Sequence, residues 1–269
     1  MRRIAGGRVL VAFAAAVGLS LVGSPAAFAA PGGGASALTC SGGEIGSGTY
    51  SSITVTGACS VASGAVVAVT GNVNVQAGAA LDAQSSPSTI TVGRNVTAAA
   101  GSMLGLGCQP PALVGNSAHA CVDAEGNPIE DPSVHSDIMV NGNVSATGAA
   151  VVLVNGIHVG GNLSITGGGS PDIPWSVKNN TIDGNLSVSG VTTNWFGVLF
   201  NTVGSNVSLT NITLTEDHPG AARVVYVGHN TIARNLNCTG LSGVSGGFPP
   251  GSVNTVGGKA TGQCAALAG

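Results

Sequence analysis

A short motif recurs along most of the chain: an apolar residue, two spacers, Asn, an aliphatic, a small polar residue and a second apolar residue. Its copies are Val69 with Asn72-Val73-Asn74-Val75, Val92 with Asn95-Val96-Thr97-Ala98, Val140 with Asn143-Val144-Ser145-Ala146 and Val159 with Asn162-Leu163-Ser164-Ile165. Ile182 with Asn185-Leu186-Ser187-Val188, Val203 with Asn206-Val207-Ser208-Leu209 and Ile232 with Asn235-Leu236-Asn237-Cys238 continue the series. The period-two alternation inside each copy predicts short strands, and the Gly and Asn between copies predict turns. Degenerate copies flank the series at Ser52-Ile53-Thr54-Val55 and at Val256 followed by Lys259, as expected of terminal repeats.

The repeat positions fall at 52, 72, 95, 143, 162, 185, 206, 235 and 259, with intervals of 20, 23, 48, 19, 23, 21, 29 and 24. With 48 counted as two coils, the mean is 207/9, or 23 residues. That length suits one coil of a parallel β-helix made of three short strands. A lone coil buries too few aliphatics to offset the entropy of ordering it. Coils stacked about 4.8 Å apart hydrogen-bond above and below and merge their aliphatics into one core. The expected fold is all-β, a parallel β-helix solenoid of about 9–10 coils of roughly 23 residues.

The last four coils carry a second Asn five residues before the repeat position, at Asn180, Asn201, Asn230 and Asn254, where earlier coils place Val67, Ile90, Ile138 and Ile157. An Asn side chain both donates and accepts, so it can bond to its copies in neighbouring coils. Both columns are expected to be structural ladders: Asn72, Asn95, Asn143, Asn162, Asn185, Asn206 and Asn235 in one, and Asn180, Asn201, Asn230 and Asn254 in the other.

Stacked aliphatics with Asn ladders resemble the right-handed parallel β-helix superfamily typified by pectate lyases. More narrowly, the Asn180-Thr181-Ile182-x-x-Asn185-Leu186-x-Val188 coil, the late Asn235-Leu236-Asn237-Cys238 and the closing Thr261-Gly262-Gln263-Cys264 are similar to small secreted actinobacterial β-helix proteins without assigned function. The resemblance covers most of residues 40–264 and implies a right-handed solenoid. It implies almost nothing about chemistry.

At the N-terminus Arg2, Arg3 and Arg8 precede an apolar stretch from Val9 to Val22, and Ala27-Phe28-Ala29 supplies a signal-peptidase pattern. Residues 1–29 are expected to be a signal peptide cleaved before Ala30, and residues 30–269 a single secreted β-helix domain. Roughly fourteen apolar residues fall short of the roughly twenty that span a bilayer. After cleavage, 8 − 3 = 5 basic residues stand against 11 acidic ones, so neither nucleic acid nor a membrane is an expected partner. Only 7% of the chain is charged, but 43% is hydrophobic, which excludes a disordered coil. The 44 Gly follow no triplet period, which excludes collagen. The sequence does not define the oligomeric state.

Six Cys allow fifteen connectivities, and export permits disulfides. The register selects local pairs: Cys40 with Cys59, Cys108 with Cys121, and Cys238 with Cys264, the outer two stapling the terminal coils. Two departures from the period predict inserted loops near 104–137 and 215–223, and insertions in solenoids gather on one functional face. The larger holds His119, Asp123, Glu125, Glu130, Asp131, His135 and Asp137. Asp123, Glu125 and Asn127 alternate as in half a calcium loop, but no Glu closes it, so a solvated, disulfide-pinned loop is favoured. The smaller carries Glu216, Asp217 and His218 before Pro219-Gly220 and reads as a turn.

A β-helix enzyme acting on acidic or sugar polymers would stack carboxylates and bases on one outward face. The column two residues after each repeat Asn is Asn74, Thr97, Ser145, Ser164, Ser187, Ser208 and Asn237, without a charge. Lys178, Asp183 and Arg223 read as solvated turn residues. No Gly-x-Ser-x-Gly elbow, zinc-type His pair or Gly-Lys phosphate loop is present, so no catalytic residue, metal or cofactor is assigned. Thr-x-Thr pairs at Thr54/Thr56, Thr89/Thr91 and Thr213/Thr215 are out of register with one another, which argues against ice binding. Trp175 and Phe196 each stand ten residues before a repeat Asn and are expected in the core, which turns Trp195 outward as a sugar-stacking candidate. Asp123, Glu125, Asp137 and Trp195 are thus the candidate binding residues. The expected function is that of a secreted, non-catalytic structural or surface-interaction protein contacting polysaccharide or cell wall. The alternative is a carbohydrate-active enzyme, a polysaccharide lyase or glycoside hydrolase, with its site at the inserted loops.

Overall fold

In the computed structural model, which describes residues 35–215, 223–247 and 253–269, the chain forms a right-handed parallel β-helix. The expected signal peptide lies outside the described residues, as does 216–222 of the smaller loop. One coil shows the construction. Ile157–Val159 lies in a first sheet, Leu163–Thr166 in a second and Trp175–Lys178 in a third. The next coil stacks Thr181–Ile182, Leu186–Ser189 and Phe196–Leu199 on them in parallel register.

Alternation decides which side chains point inward. Leu186 and Val188 have no exposed surface, while Ser187 between them is half-buried on the outer face. Leu163, Leu186, Val207 and Leu236 form one inward column of the second sheet, and Ile165, Val188, Leu209 and Cys238 the next. Trp175 and Phe196 stack in adjacent coils of the third sheet, both wholly buried, as their spacing predicts. The first two sheets are continuous because Gly48–Val55 runs through both, and the third has nine strands.

The coil count needs one correction. Val96–Ala98 pairs directly with Val144–Thr147, and Met103–Leu106 with Val151–Asn155, so the interval of 48 is one coil that carries an insertion, not two. The lost coil is replaced at the N-terminal end, where Ser36–Cys40 pairs with Gly48–Val55 ahead of the first recognised repeat. Nine successive pairings in the second sheet link 9 + 1 = 10 strands, from Ser36–Cys40 to Ala260–Gly262.

Both Asn columns are ladders, with opposite polarity. In the outer one, Oδ1 of each Asn accepts from the next coil: Asn185 donates its backbone N–H (2.9 Å) and Nδ2 (3.0 Å) to Asn162, and Asn206 does the same to Asn185. In the inner one, the earlier coil donates: Asn180 to Asn201, Asn201 to Asn230 and Asn230 to Asn254. The second Nδ2 hydrogen of each goes to a backbone carbonyl, that of Val154, Val177, Val198 or Val227. These four Asn are at most 1% exposed, so every hydrogen bond replaces one that water cannot supply. The ladder starts where Asn180 Oδ1 takes the Ile157 N–H and ends where Asn254 donates to the Leu267 carbonyl of the closing 3-10 turn.

The three disulfides join Cys40–Cys59, Cys108–Cys121 and Cys238–Cys264, at Cα separations of 6.4, 5.0 and 5.3 Å. The outer two do not link residues stacked in one column. Cys40 stands opposite Val55 and Cys59 opposite Gly43, so the first bridge closes a corner between the second and third sheets. Cys238 stands opposite Gly262, two residues before Cys264.

Candidate functional site: the outer face of the second sheet

The second sheet turns its backbone-paired strands outward as two columns of small polar side chains. One is Ser145, Ser164, Ser187, Ser208 and Asn237; the other is Thr147, Thr166, Ser189, Thr210 and Thr239, each matched coil by coil. Together with the exposed rim of the outer Asn ladder, each of these five coils presents an amide and two hydrogen-bonding groups. They recur every ~4.8 Å along the rod and ~6.7 Å across it, twice the rise per residue. None of these positions is charged or aromatic. The hydroxyls of the five central coils are not spent on one another; bonds within the first column occur toward the ends, from Thr97 to Asn74 (2.8 Å) and from Thr261 to Asn237 (3.0 Å).

The sequence pattern shows the first column but not the second, because Thr147, Thr166 and Thr210 stand four residues beyond the repeat Asn, where the motif had ended. A register therefore exists in which paired hydroxyls align over consecutive coils, although the Thr-x-Thr pairs read from sequence are not the ones that build it. Where the 48- and 19-residue intervals meet, the face dips into a groove of about 390 Å³ lined by Asn95, Thr97, Asn143, Ser145, Asn162 and Ser164. Its lining offers donors and acceptors in a concave, uncharged surface, which suits a hydroxylated neutral ligand.

The insertion lies between Met103–Leu106 of the third sheet and Asp137–Val140 of the first. Asp123 Oδ1 accepts the Asn127 and Glu125 backbone N–H groups at 2.7 and 3.0 Å. The Asn127 bonds, backbone first, hold its carboxyl below the usual range. Asp131 closes a similar turn on Ser133, which lowers it likewise. Glu125 is in the same turn with its side chain exposed, and Asp137 is exposed opposite Thr89. Asp123, Glu125 and Asp137 are not brought together, and no cluster of three metal-ligating side chains occurs among the described residues.

The insertion does bring other groups against the third sheet. The His119 carbonyl accepts from Asn155 Nδ2 (3.3 Å), and Asn116 Nδ2 donates to Asn179 Oδ1 (2.8 Å). Burial, then Lys178, lowers the His119 pKa to about 4 against an opposing pull from Asp82. Lys178 is not a solvated turn residue: it ends the strand Trp175–Lys178, is half-buried, and is lowered in pKa by that burial. No sequence signal marks this, since only the fold packs the insertion over it. Asp183 instead pairs with His158 at 3.1 Å on the outside of the first sheet.

Trp195 is half-buried outside the third sheet, as alternation predicts, and stacks on Tyr226 with ring centroids 5.6 Å apart. It lies across Gly197, where a Cβ would stand 2.4 Å from the indole. Tyr226 is 5% exposed, and burial raises its pKa. Among the described residues no helix is long and apolar enough to cross a membrane. No protein-family model matches this chain, and no curated protein or solved structure is significantly similar to it.

Proposed function

We propose that the protein is a secreted, non-catalytic rod that lies along a neutral glycan of an extracellular or cell-wall surface through the outer face of its second sheet. The supporting observation is the uncharged array of hydroxyls and amides, in register over consecutive coils and grooved at Asn95, Asn143 and Asn162. Individual exposed hydrogen bonds contribute little net free energy in water, so binding has to come from many at once. A rigid array at fixed spacing loses little entropy on docking. The three disulfides and the signal-like N-terminus support export. The Asn-Thr-Ile-x-x-Asn-Leu-x-Val coil supports kinship with small actinobacterial β-helix proteins within the pectate-lyase-like superfamily.

Cosedimentation with insoluble cellulose, chitin and purified cell wall tests the reading. At least one polymer is expected to retain the mature protein, and Ser164→Glu to release it, because a carboxylate in the groove must be desolvated against neutral hydroxyls. Ser164 is half-buried and outward, so its replacement should change stability by no more than about 0.5 kcal/mol. Thr231→Glu, exposed on the first sheet, serves as the control. Equal sedimentation of wild type and Ser164→Glu rejects the face, and release of new sugar ends from any polymer turns the assignment to the enzyme alternative.

A further inference from the structure

The outer face of the second sheet has a regularity that holding a glycan chain does not require. Its first outward column runs from Thr39 to Thr261 through ten consecutive strands, and every position in it is Thr, Ser or Asn. Nine coil spacings make that column about 43 Å long. Beside it, Ser145-x-Thr147, Ser164-x-Thr166 and Ser208-x-Thr210 present paired hydroxyls, with Ala146, Ile165 and Leu209 turned inward between them. The Thr-x-Thr pairs that fall out of register in the sequence belong to different sheets: Thr54 stands in the second, Thr89 and Thr91 in the first, and Thr213 in a separate two-stranded sheet. They therefore do not count against the ladder that the second sheet builds.

The array is held still from behind. Leu163, Leu186, Val207 and Leu236, which alternate with it, are at most 1% exposed, and their strands pair residue for residue. Neither column contains a charged or aromatic side chain, so no tightly held hydration shell and no bulky ring interrupts the water against it. Waters seated on neighbouring coils stand about 4.8 Å apart, close to the repeat of oxygens along one axis of hexagonal ice, and the small misfit per coil leaves adjacent coils in step. One such water contributes little. A lattice seated on many coils at once contributes their sum, and a rigid face loses little entropy in receiving it.

We propose that the rows from Leu163–Thr166 to Leu236–Thr239 adsorb to ice, the ligand being the ordered surface of a water crystal and not a solute. This goes beyond the glycan reading and does not rest on it. A glycan takes the groove at Asn95, Asn143 and Asn162, whereas ice takes the repeated rows that continue past it. Retention on a polymer has no bearing on ice, so either reading can fail alone.

The freezing and melting points of a single ice crystal in a solution of the disulfide-intact mature chain test it. The chain is expected to hold the freezing point below the melting point and to facet the crystal. Ser208→Tyr stands a ring proud of the rows, and Ser187→Lys brings a hydrated charge into them; each is expected to close the gap. Thr231→Tyr, exposed on the first sheet, is expected to leave it open. Ser187 and Ser208 are half-buried and outward, so both variants should keep the thermal melt of the wild type by circular dichroism, and if one loses it the other decides. A wild-type chain that produces neither gap nor facets overturns the proposal. So does a gap that persists in a folded Ser208→Tyr or Ser187→Lys, and so does closure by Thr231→Tyr to the same extent, which would place adsorption outside the second sheet.

Discussion

Leu186→Asp is expected to abolish the cooperative melt of the rod. Leu186 has no exposed surface and sits in the inward column between Leu163 and Val207, with Val188 beside it. No cation or free donor in that column can receive a carboxylate, so the substitution buries an unpaired charge where three coils stack. It also removes an aliphatic whose loss alone costs about 2–5 kcal/mol. The sum approaches the whole stability of an ordinary domain, about 5–15 kcal/mol. In a solenoid each coil contacts only its neighbours, so a break in the middle separates the rod into two parts that each lack a cap. Ser187→Asp, one residue along on the outer face, should shift stability by no more than about 0.5 kcal/mol. Thermal melts by circular dichroism check both, and an unchanged melting temperature for Leu186→Asp would show the inward register to be wrong.

Asn201→Ala should have the next largest effect, about 3–5 kcal/mol by denaturant titration, because its loss strands several buried groups at once. Asn201 is 1% exposed; its Oδ1 accepts the Asn180 backbone N–H at 3.1 Å and Asn180 Nδ2 at 2.9 Å. Its Nδ2 serves the Val177 carbonyl and Asn230 Oδ1, both at 2.9 Å. Water does not reach these partners when the side chain is removed. Asn185→Ala breaks an equally regular ladder on the exposed rim, where water replaces the lost bonds, and should cost only about 1 kcal/mol. Similar losses in the two variants would mean that burial does not separate the inner ladder from the outer.

The solenoid was legible because its coil repeats one physical requirement in many copies: inward aliphatics with period two and an Asn at the turn. Leu186, Val188, Trp175 and the two Asn columns follow from that pattern. Spacing alone could not show whether the 48 residues from Asn95 to Asn143 held a second coil or a loop, since both satisfy the mean period. The strand pairings across the interval decide it, and the hydrogen bonds of Asn143 to Asn95 Oδ1 agree. Asp123 and Glu125 were conspicuous as acids, but a turn consumes the Asp123 carboxylate, and a turn of this kind has the same alternation as a ligand loop. Lys178, Asn116 and Phe200 carry no motif at all. The bond that sets Asn116 on Asn179, beside Lys178, depends on how the insertion folds back, and the left-handed turn at Phe200 on the stacking of the coils, both products of tertiary packing.

The account rests on one polar face running unbroken past the insertion, with Thr97 directly against Ser145. A Thr97→Cys, Ser145→Cys variant measures this: neighbouring residues in one column lie about 4.8 Å apart, inside the roughly 4.4–6.8 Å between Cα atoms that a disulfide needs. Mass analysis after oxidation is expected to show a fourth disulfide joining these two positions, with the native three intact. If 104–137 held a coil of its own, the positions would stand about 9.6 Å apart, two coil spacings, and free thiols at both would contradict the continuous face.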